Sequence, residues 1–240
     1  MRPYTERMHF PLGRQLRVLA VILLVPLLSS CGTPPPTSLS ATLIHSATLL
    51  ANAESIHMQF STDTAPPSSV IAAESGSGMY EAPNSFAGSF LVGYHGIPLT
   101  VGIVVLGKTT YLKAPLAGHY TQGNPGAYGF PNPIAFFSTV SGFPALLRAT
   151  SSLHYAGLTA QNGTLHWSIS GSIPNTMLAR ILKTPDVPRT DTVTYVIDPH
   201  SGVLNSLSIR APVYTASVLT AVNITLDYPA TRQPITVPTS

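Results

Sequence analysis

Alternation of apolar and polar residues with a period of two is the feature that most constrains the fold of this 240-residue chain. The pattern is clear in residues 56–61, 99–105 and 217–228, and it recurs in residues 86–92. Such alternation is typical of strands that turn one face to a core and the other to water, as antiparallel sheets commonly do. The sequence therefore predicts a protein built mainly from half-buried antiparallel strands.

The segments between these strands predict helices and turns. Apolar residues recur at helical spacing from Leu39, with Ser38 as N-cap and Glu54 near the end. Residues 118–133 are rich in Gly and Pro and predict a long loop, whereas Asn162-Gly163 predicts a tight hairpin turn. The other predicted strands are 109–112, 153–161, 164–172, 192–197 and 203–210. The other predicted helices are 134–140, 143–149 and a short helix that follows Pro174 and runs to about Leu182.

The order of these elements predicts the fold class. Strands gather in runs instead of alternating one by one with helices, which is typical of an α+β fold. Neither a repeat nor a linker divides residues 38–228, so we expect a single domain there. We expect residues 229–240 to form an irregular tail.

The N-terminus has the layout of a bacterial lipoprotein export signal. Four arginines precede the apolar run Val18–Leu28, which is shorter than the roughly 20 residues that span a bilayer. Leu28-Ser29-Ser30-Cys31 fits the lipobox, in which the cysteine is acylated and becomes the new N-terminus. The alternative is an ordinary signal peptide with an incidental cysteine, but the only cysteine of the chain stands at the end of the apolar run, which favours the lipobox.

We therefore predict a signal peptide over residues 1–30 and a lipidated Cys31 on a Pro-rich tether, residues 31–37. This anchor would hold the protein at the extracytoplasmic face of the cell membrane, with part of it released.

Charge and composition exclude several classes of protein. Only 9% of residues are charged and 44% are hydrophobic, whereas intrinsic disorder requires the opposite balance. The net charge of +3 comes from the first thirty residues, because eight basic and eight acidic residues follow Cys31. No basic patch is left for nucleic acid. A single cysteine excludes a disulfide framework and a multi-cysteine zinc site.

Motifs of catalysis or metal binding are missing from the sequence. The histidines are scattered singly without an H-E-x-x-H pattern, and several, His166 among them, fall on predicted solvent faces. Neither G-x-S-x-G nor S-x-x-K occurs, which disfavours an envelope hydrolase. Gly76-Ser77-Gly78 predicts a bend in a strand. We expect no metal, no cofactor and no enzymatic activity.

Several segments, in order, resemble the LppX/LprA/LprF/LprG family of mycobacterial lipoproteins over nearly all of the predicted mature region. Leu39–His57 is similar to the family's first helix running into a strand, and Lys108–Leu112 is similar to one of its strands. Residues 128–147, 164–182 and 193–207 are similar to its central helix, to the hairpin strand and helix that follow, and to a later strand pair.

The resemblance implies an antiparallel sheet curved into a half-barrel, with helices on its concave side, a shape that recurs in the carriers LolA and LolB. It also implies an apolar cavity for the acyl chains of envelope lipids or glycolipids, such as phosphatidylinositol mannosides, lipoarabinomannan or phthiocerol esters. Family members carry these lipids between membrane and outer envelope, which would make an envelope transporter a partner. We expect the Gly- and Pro-rich residues 118–133 near the cavity mouth.

The alternation and the resemblance together predict which side chains line this cavity. They are Met58, Phe60, Phe90, Val92, Val101, Ile103, Val105, Phe136, Phe137, Leu146 and Trp167.

Two hypotheses for function remain open at this stage. One is a membrane-anchored lipid carrier without catalysis, which binds acyl chains in the cavity. The alternative is a structural or adaptor lipoprotein with a solid core that binds a protein partner, because any half-buried sheet shows the same alternation.

Overall fold

The computed structural model describes residues 33–237 except 130, 162, 183 and 186, and the described residues from Pro35 onward form one compact unit. The helices are α1 Leu39–Ala51, α2 Phe143–Ala149 and α3 Asn175–Leu182. The strands are β1 Ser55–Thr62, β2 Ala72–Glu81, β3 Ser85–Tyr94, β4 Ile97–Leu106, β5 Thr109–Lys113, β6 Thr121–Gln122, β7 Ser151–Gln161, β8 Thr164–Pro174, β9 Thr190–Ile197, β10 Leu204–Ala211 and β11 Thr220–Asp227.

All eleven strands belong to one antiparallel sheet in the order β6-β5-β4-β3-β2-β1-β11-β10-β9-β8-β7. The chain forms this sheet as two meanders, which meet where β1 pairs with β11 and Met58 lies opposite Leu226. The edge strands β6 and β7 are not paired with each other in the described chain, so the sheet is an open half-barrel. The predicted fold class is confirmed.

Helix α1 begins and ends as its sequence dictates. The Ser38 side chain accepts a hydrogen bond from the backbone N–H of Ala41, which satisfies one of the free donors of the first turn. Leu43, Ala47 and Leu50 recur at helical spacing and are buried against α2 and the sheet. The helix ends at Ala51, three residues before Glu54, because Asn52 caps it.

The hydrophobic core lies on the concave face of the sheet. The largest fully buried side chains include Ile56, Phe86, Ile103, Ile169 and Tyr195, all from strands. A five-residue 3-10 helix, Pro133–Phe137, joins sheet and helices through aromatic stacks, which are Tyr80 on Phe137 at 4.2 Å and Phe136 on Phe143 at 5.4 Å between ring centroids.

Three expectations about local structure are corrected. Strand β2, of which only a bend at Gly76-Ser77-Gly78 was expected, pairs along its length with β1 and β3. The helix expected over 134–140 is shorter, because the Ser138 hydroxyl accepts from the backbone N–H groups of Val140 and Ser141 at 3.3 Å each, instead of allowing another helical turn.

His166 is also placed differently, since it is only 4% exposed although its position alternates with the apolar residues of β8. It pairs with Thr159 of β7 and lies close enough to Asp198 to lower the pKa of that carboxyl. The helix expected to follow Pro174 and to run to about Leu182 is present as α3, and at its start the Asn175 side-chain amide donates to Asp191 at 2.7 Å.

The described part of the C-terminal tail, residues 229–237, has neither helix nor strand, yet it is tied to the sheet. Arg232 Nε donates to the carboxylate of the buried Glu81 at 2.9 Å. None of the helices in the described chain is long and apolar enough to cross a membrane.

Candidate functional site: an apolar pocket on the concave face

A cavity of about 220 Å³ opens beside the end of β1 and the start of β2. Its wall combines strand residues with the segments that connect β1 to β2 and β10 to β11, with the end of α3 and the residue Pro185 after it, and with the segment that leads into the 3-10 helix Pro133–Phe137. The described lining residues are Phe60, Val70, Ile71, Ala72, Ala73, Phe90, Gly129, Pro131, Phe136, Leu182, Pro185, Val213 and Tyr214.

A glycine inside β2 allows the side chain of a pocket residue, Phe90, to pack directly on the sheet. A Cβ atom on Gly76 would lie 2.4 Å from Cδ1 of Phe90, so a side chain there would push the ring off the sheet. Without one, the Phe90 ring packs directly against the backbone of β2. Glycine in a strand interior is otherwise unfavourable, and such close approach explains why it is present here.

A second glycine fixes the Gly- and Pro-rich loop, residues 118–133, against the sheet. Gly129 has φ +74°, and a Cβ atom there would lie 1.7 Å from the carbonyl oxygen of Ile71. Only glycine tolerates both the left-handed backbone and this contact. The loop therefore reaches the start of β2, where Gly129 and Pro131 form part of the pocket wall.

Tyr214 brings the main polar group to the wall, and its hydroxyl is already engaged. It donates to the carbonyl of Ala73 at 3.0 Å and lies 2.8 Å from the hydroxyl oxygen of Thr62. Burial raises the pKa of Tyr214, and the nearby carboxylates of Glu74 and Asp63 raise it further. The hydrogen bond with Thr62 lowers this pKa, but the net shift is upward. The phenol is therefore neutral, and no other described lining residue is ionisable. Such a wall suits an apolar chain and offers no partner for a charged group.

The structure brings some of the predicted lining residues to this pocket and leaves most elsewhere. Phe60, Phe90 and Phe136 line it. Trp167 lies on the core side of β8 but lines a separate groove with Ser38. The others are almost fully buried in the packed core, namely Met58, Val92, Val101, Ile103, Val105, Phe137 and Leu146. Their contact with a ligand stays a prediction.

Sequence reasoning missed the part of the wall that lies outside strands. Val70, Ile71 and Val213 belong to connecting segments, in which apolar residues follow no period. The available signal was apolar residues beside prolines, as in the dipeptide Val70-Ile71 after Pro66-Pro67 and in Val213 after Pro212. The predicted Cys31 anchor lies outside the described residues.

The family model for LppX_LprAFG lipoproteins matches residues 39–237 of this chain. The chain belongs to this family. Two solved structures of mycobacterial lipoproteins show the same fold. LprF from Mycobacterium bovis gives a TM-score of 0.67 at 20% identity, covering 87% of this chain and 99% of LprF. LppX from Mycobacterium tuberculosis gives 0.56 at 20% identity, covering 79% and 93%. No curated protein sequence matches.

Within this LppX_LprAFG chain, the described residues contain no group of three or more His, Cys, Asp or Glu side chains that could hold a metal ion. The pocket of about 220 Å³ is lined mainly by apolar side chains, a chemistry that suits an apolar chain.

Proposed function

We propose that this protein is a membrane-anchored envelope lipoprotein that binds an acyl chain of a lipid or glycolipid and shields it from water during transfer to the outer envelope. The observation that carries the proposal is the pocket of about 220 Å³, with its apolar wall, on the concave face of the family fold. A carrier needs apolar area and no reactive group, which agrees with the composition of the wall.

The volume of the pocket limits what it holds without rearrangement. A small group such as water takes up about 30 Å³ in a liquid, so the pocket of about 220 Å³ has room for roughly seven methylene-sized groups. At about 0.8 kcal/mol per methylene, these would contribute about 5–6 kcal/mol. Association itself costs at least about 4 kcal/mol, so a ligand that filled only this pocket would bind weakly.

A complete acyl chain therefore requires the pocket to widen. The segments carrying Val70, Ile71 and Val213 are free of helix and strand, and we propose that they move apart to admit the chain. Widening would then bring the chain toward the aromatic residues of the 3-10 helix, including Phe137, and toward the sheet floor.

The test is the lipid content of the protein. Residues 31–240 would be purified without detergent from a cell that makes envelope lipids, extracted with organic solvent and analysed by mass spectrometry. We expect acylated lipid at a stoichiometric level. In Ala73→Phe, which places a ring on the pocket wall, we expect at least about a tenfold loss of this lipid, because the ring occupies several methylene volumes.

Ala87→Phe is the matched control, because Ala87 lies in β3 and does not line the pocket. Both variants would be checked for unchanged melting temperature. A wild-type protein without lipid would contradict the proposal and favour the alternative, an adaptor with a solid core. The near-complete burial of seven predicted lining residues is the observation that favours this alternative.

The membrane anchor has its own test. Cys31→Ala removes the thiol that the lipobox acylates, so we expect this variant to lose the covalently bound acyl chains that mass spectrometry detects on the wild-type protein. A wild-type protein without acyl chains on Cys31 would contradict the anchor and leave lipid binding unaffected.

A further inference from the structure

The β7–β8 hairpin has an apolar surface that the core does not cover. Leu158 is 37% exposed and Leu165 is 46% exposed. Leu158 lies opposite Trp167, and Leu165 lies opposite Ala160, so each pair shares a face. For Trp167 this is the face that packs toward the core beside Ile197.

The surface is free of formal charge. Residues 38–53, which contain α1, and residues 151–172, which contain most of the hairpin, include no Asp, Glu, Lys or Arg. Charged groups at a bilayer interface lose hydration, whereas a charge-free surface with leucines and a tryptophan does not incur that penalty.

The predicted anchor emerges beside this surface. Trp167 lines a groove together with Thr37 and Ser38, the residues that lead into α1. Cys31 precedes Thr37 by six residues, which span at most about 20 Å when extended. An acyl group on Cys31, as proposed above, would therefore be attached within about 20 Å of Thr37, which borders the same groove as Trp167.

We propose that the β7–β8 hairpin, through Leu158, Leu165 and Trp167, rests against the bilayer that holds the acylated Cys31. The proposal rests on the anchor proposed above and adds the orientation of the domain. The β7–β8 and β9–β10 turns lie at one end of the strands, whereas the β1–β2 and β10–β11 connections, which border the pocket, lie at the other end. The pocket therefore opens at the strand ends remote from the membrane-contacting hairpin.

The chain contains one tryptophan and one cysteine, which permits a direct test. Residues 31–240 would be coupled through Cys31 to a maleimide phospholipid in phosphatidylcholine vesicles with brominated acyl chains, which quench indole fluorescence on contact. We expect Trp167 emission to fall at least about twofold relative to vesicles without bromine. In Leu158→Ser/Leu165→Ser, we expect most of the quenching to disappear at equal coupling.

Ile97→Ser/Val218→Ser is the matched control, because these side chains are 60% and 53% exposed and lie outside the hairpin. The control should be quenched like the wild type. Absence of quenching in the wild type, or equal quenching in the hairpin variant, would overturn the proposal. A dimer in sedimentation experiments that is lost in the hairpin variant, without bromine quenching, would assign the surface to a second copy and also overturn it.

Chemical coupling replaces cellular acylation and needs no ligand in the pocket. A negative result therefore refutes the orientation alone, while the Cys31→Ala and lipid-extraction experiments test the anchor and the pocket separately.

Discussion

At the scale of single residues, Gly129 controls the wall of the pocket through its backbone. With φ +74° and 1.7 Å between a would-be Cβ and the Ile71 carbonyl, Gly129→Ala forces the loop off β2. We expect a loss of at least about 1 kcal/mol in the free energy of unfolding, measured by urea denaturation. Gly118→Ala in the same loop is the control, since a Cβ there meets nothing within 4 Å, and equal losses would contradict this account.

The Asp198 carboxylate holds the β9–β10 turn, and its contribution depends on pH. Burial acts to raise its pKa, but hydrogen bonds from Ser201 and His200, with an electrostatic contribution from the nearby His166 side chain, outweigh this and hold the pKa below the ordinary value of 3.8. Because the folded-state pKa is lowered, the stabilisation is present above that ordinary value and is lost as pH falls through the folded pKa.

Asp198→Asn should therefore be less stable than the wild type at pH 7, by about 0.5 kcal/mol because solvent screens this partly exposed group. The difference in the free energy of unfolding should shrink below pH 3.8 and vanish in stronger acid. Urea titrations at several pH values measure it, and a difference that does not change with pH would refute the charge as its source.

At the scale of elements, the tail is fixed to the sheet by one buried carboxylate. Glu81 is 2% exposed and accepts from the Ser55 hydroxyl at 2.6 Å, Arg232 Nε at 2.9 Å and the Gln233 N–H at 3.1 Å. Arg232→Ala leaves this buried charge without its cation, so we expect a loss of about 1–3 kcal/mol in the free energy of unfolding.

Glu81→Gln in the Arg232→Ala background should recover part of that loss, because it removes the buried charge. Arg210→Ala, at another exposed arginine, is the control and should change stability by less than about 0.5 kcal/mol. If the two arginine variants were equally stable, the tail would not be held by this ion pair.

The elements that sequence predicts are those whose packing follows a simple period. Helix α1 and strands β1 and β4 each have one apolar face, and their predicted positions match the structure. Strand β2 could not be predicted, because Gly76 and Gly78 have low strand propensity and a register shift near Glu74 interrupts its alternation. The reason for these glycines is the approach of Phe90 and Phe86, a contact between strands that one strand's sequence does not contain.

The pocket shows the same limit. The alternation of apolar and polar residues along the strands places Phe60, Val101 and Ile103 on the concave face. It does not predict whether a given residue on that face packs against a helix or lines a cavity. This depends on the positions of α2 and the 3-10 helix Pro133–Phe137, which are fixed by the aromatic stacks of Tyr80 on Phe137 and of Phe136 on Phe143. Connecting segments supply the rest of the pocket wall, and the apolar residues in these segments recur at no regular spacing that would predict their burial.

At the scale of the whole molecule, the open sheet leaves the concave face to be covered by few elements. Among the described residues, three helices and the 3-10 helices Pro125–Tyr128 and Pro133–Phe137 contribute side chains to the core there, and irregular segments cover the strand ends beside β1 and β2. Irregular segments open at lower free energy than paired strands. The fold therefore places its most deformable part at the pocket, where a ligand longer than the pocket must enter.

A series of saturated fatty acids from six to sixteen carbons tests this deformability in the purified protein, by calorimetry below the micelle concentration. Each methylene that reaches an apolar wall contributes about 0.8 kcal/mol, so Kd should fall about fourfold per carbon while the pocket of about 220 Å³ fills. If the covering segments part, Kd continues to fall beyond roughly eight carbons, with a smaller step because separating them costs free energy. A rigid pocket would instead give no further fall in Kd past that length, and the proposed carriage of complete acyl chains would then be wrong.

Ala73→Phe should raise Kd for the longer acids at least tenfold, since about a tenfold change in Kd corresponds to the displacement of fewer than two methylenes from the apolar wall.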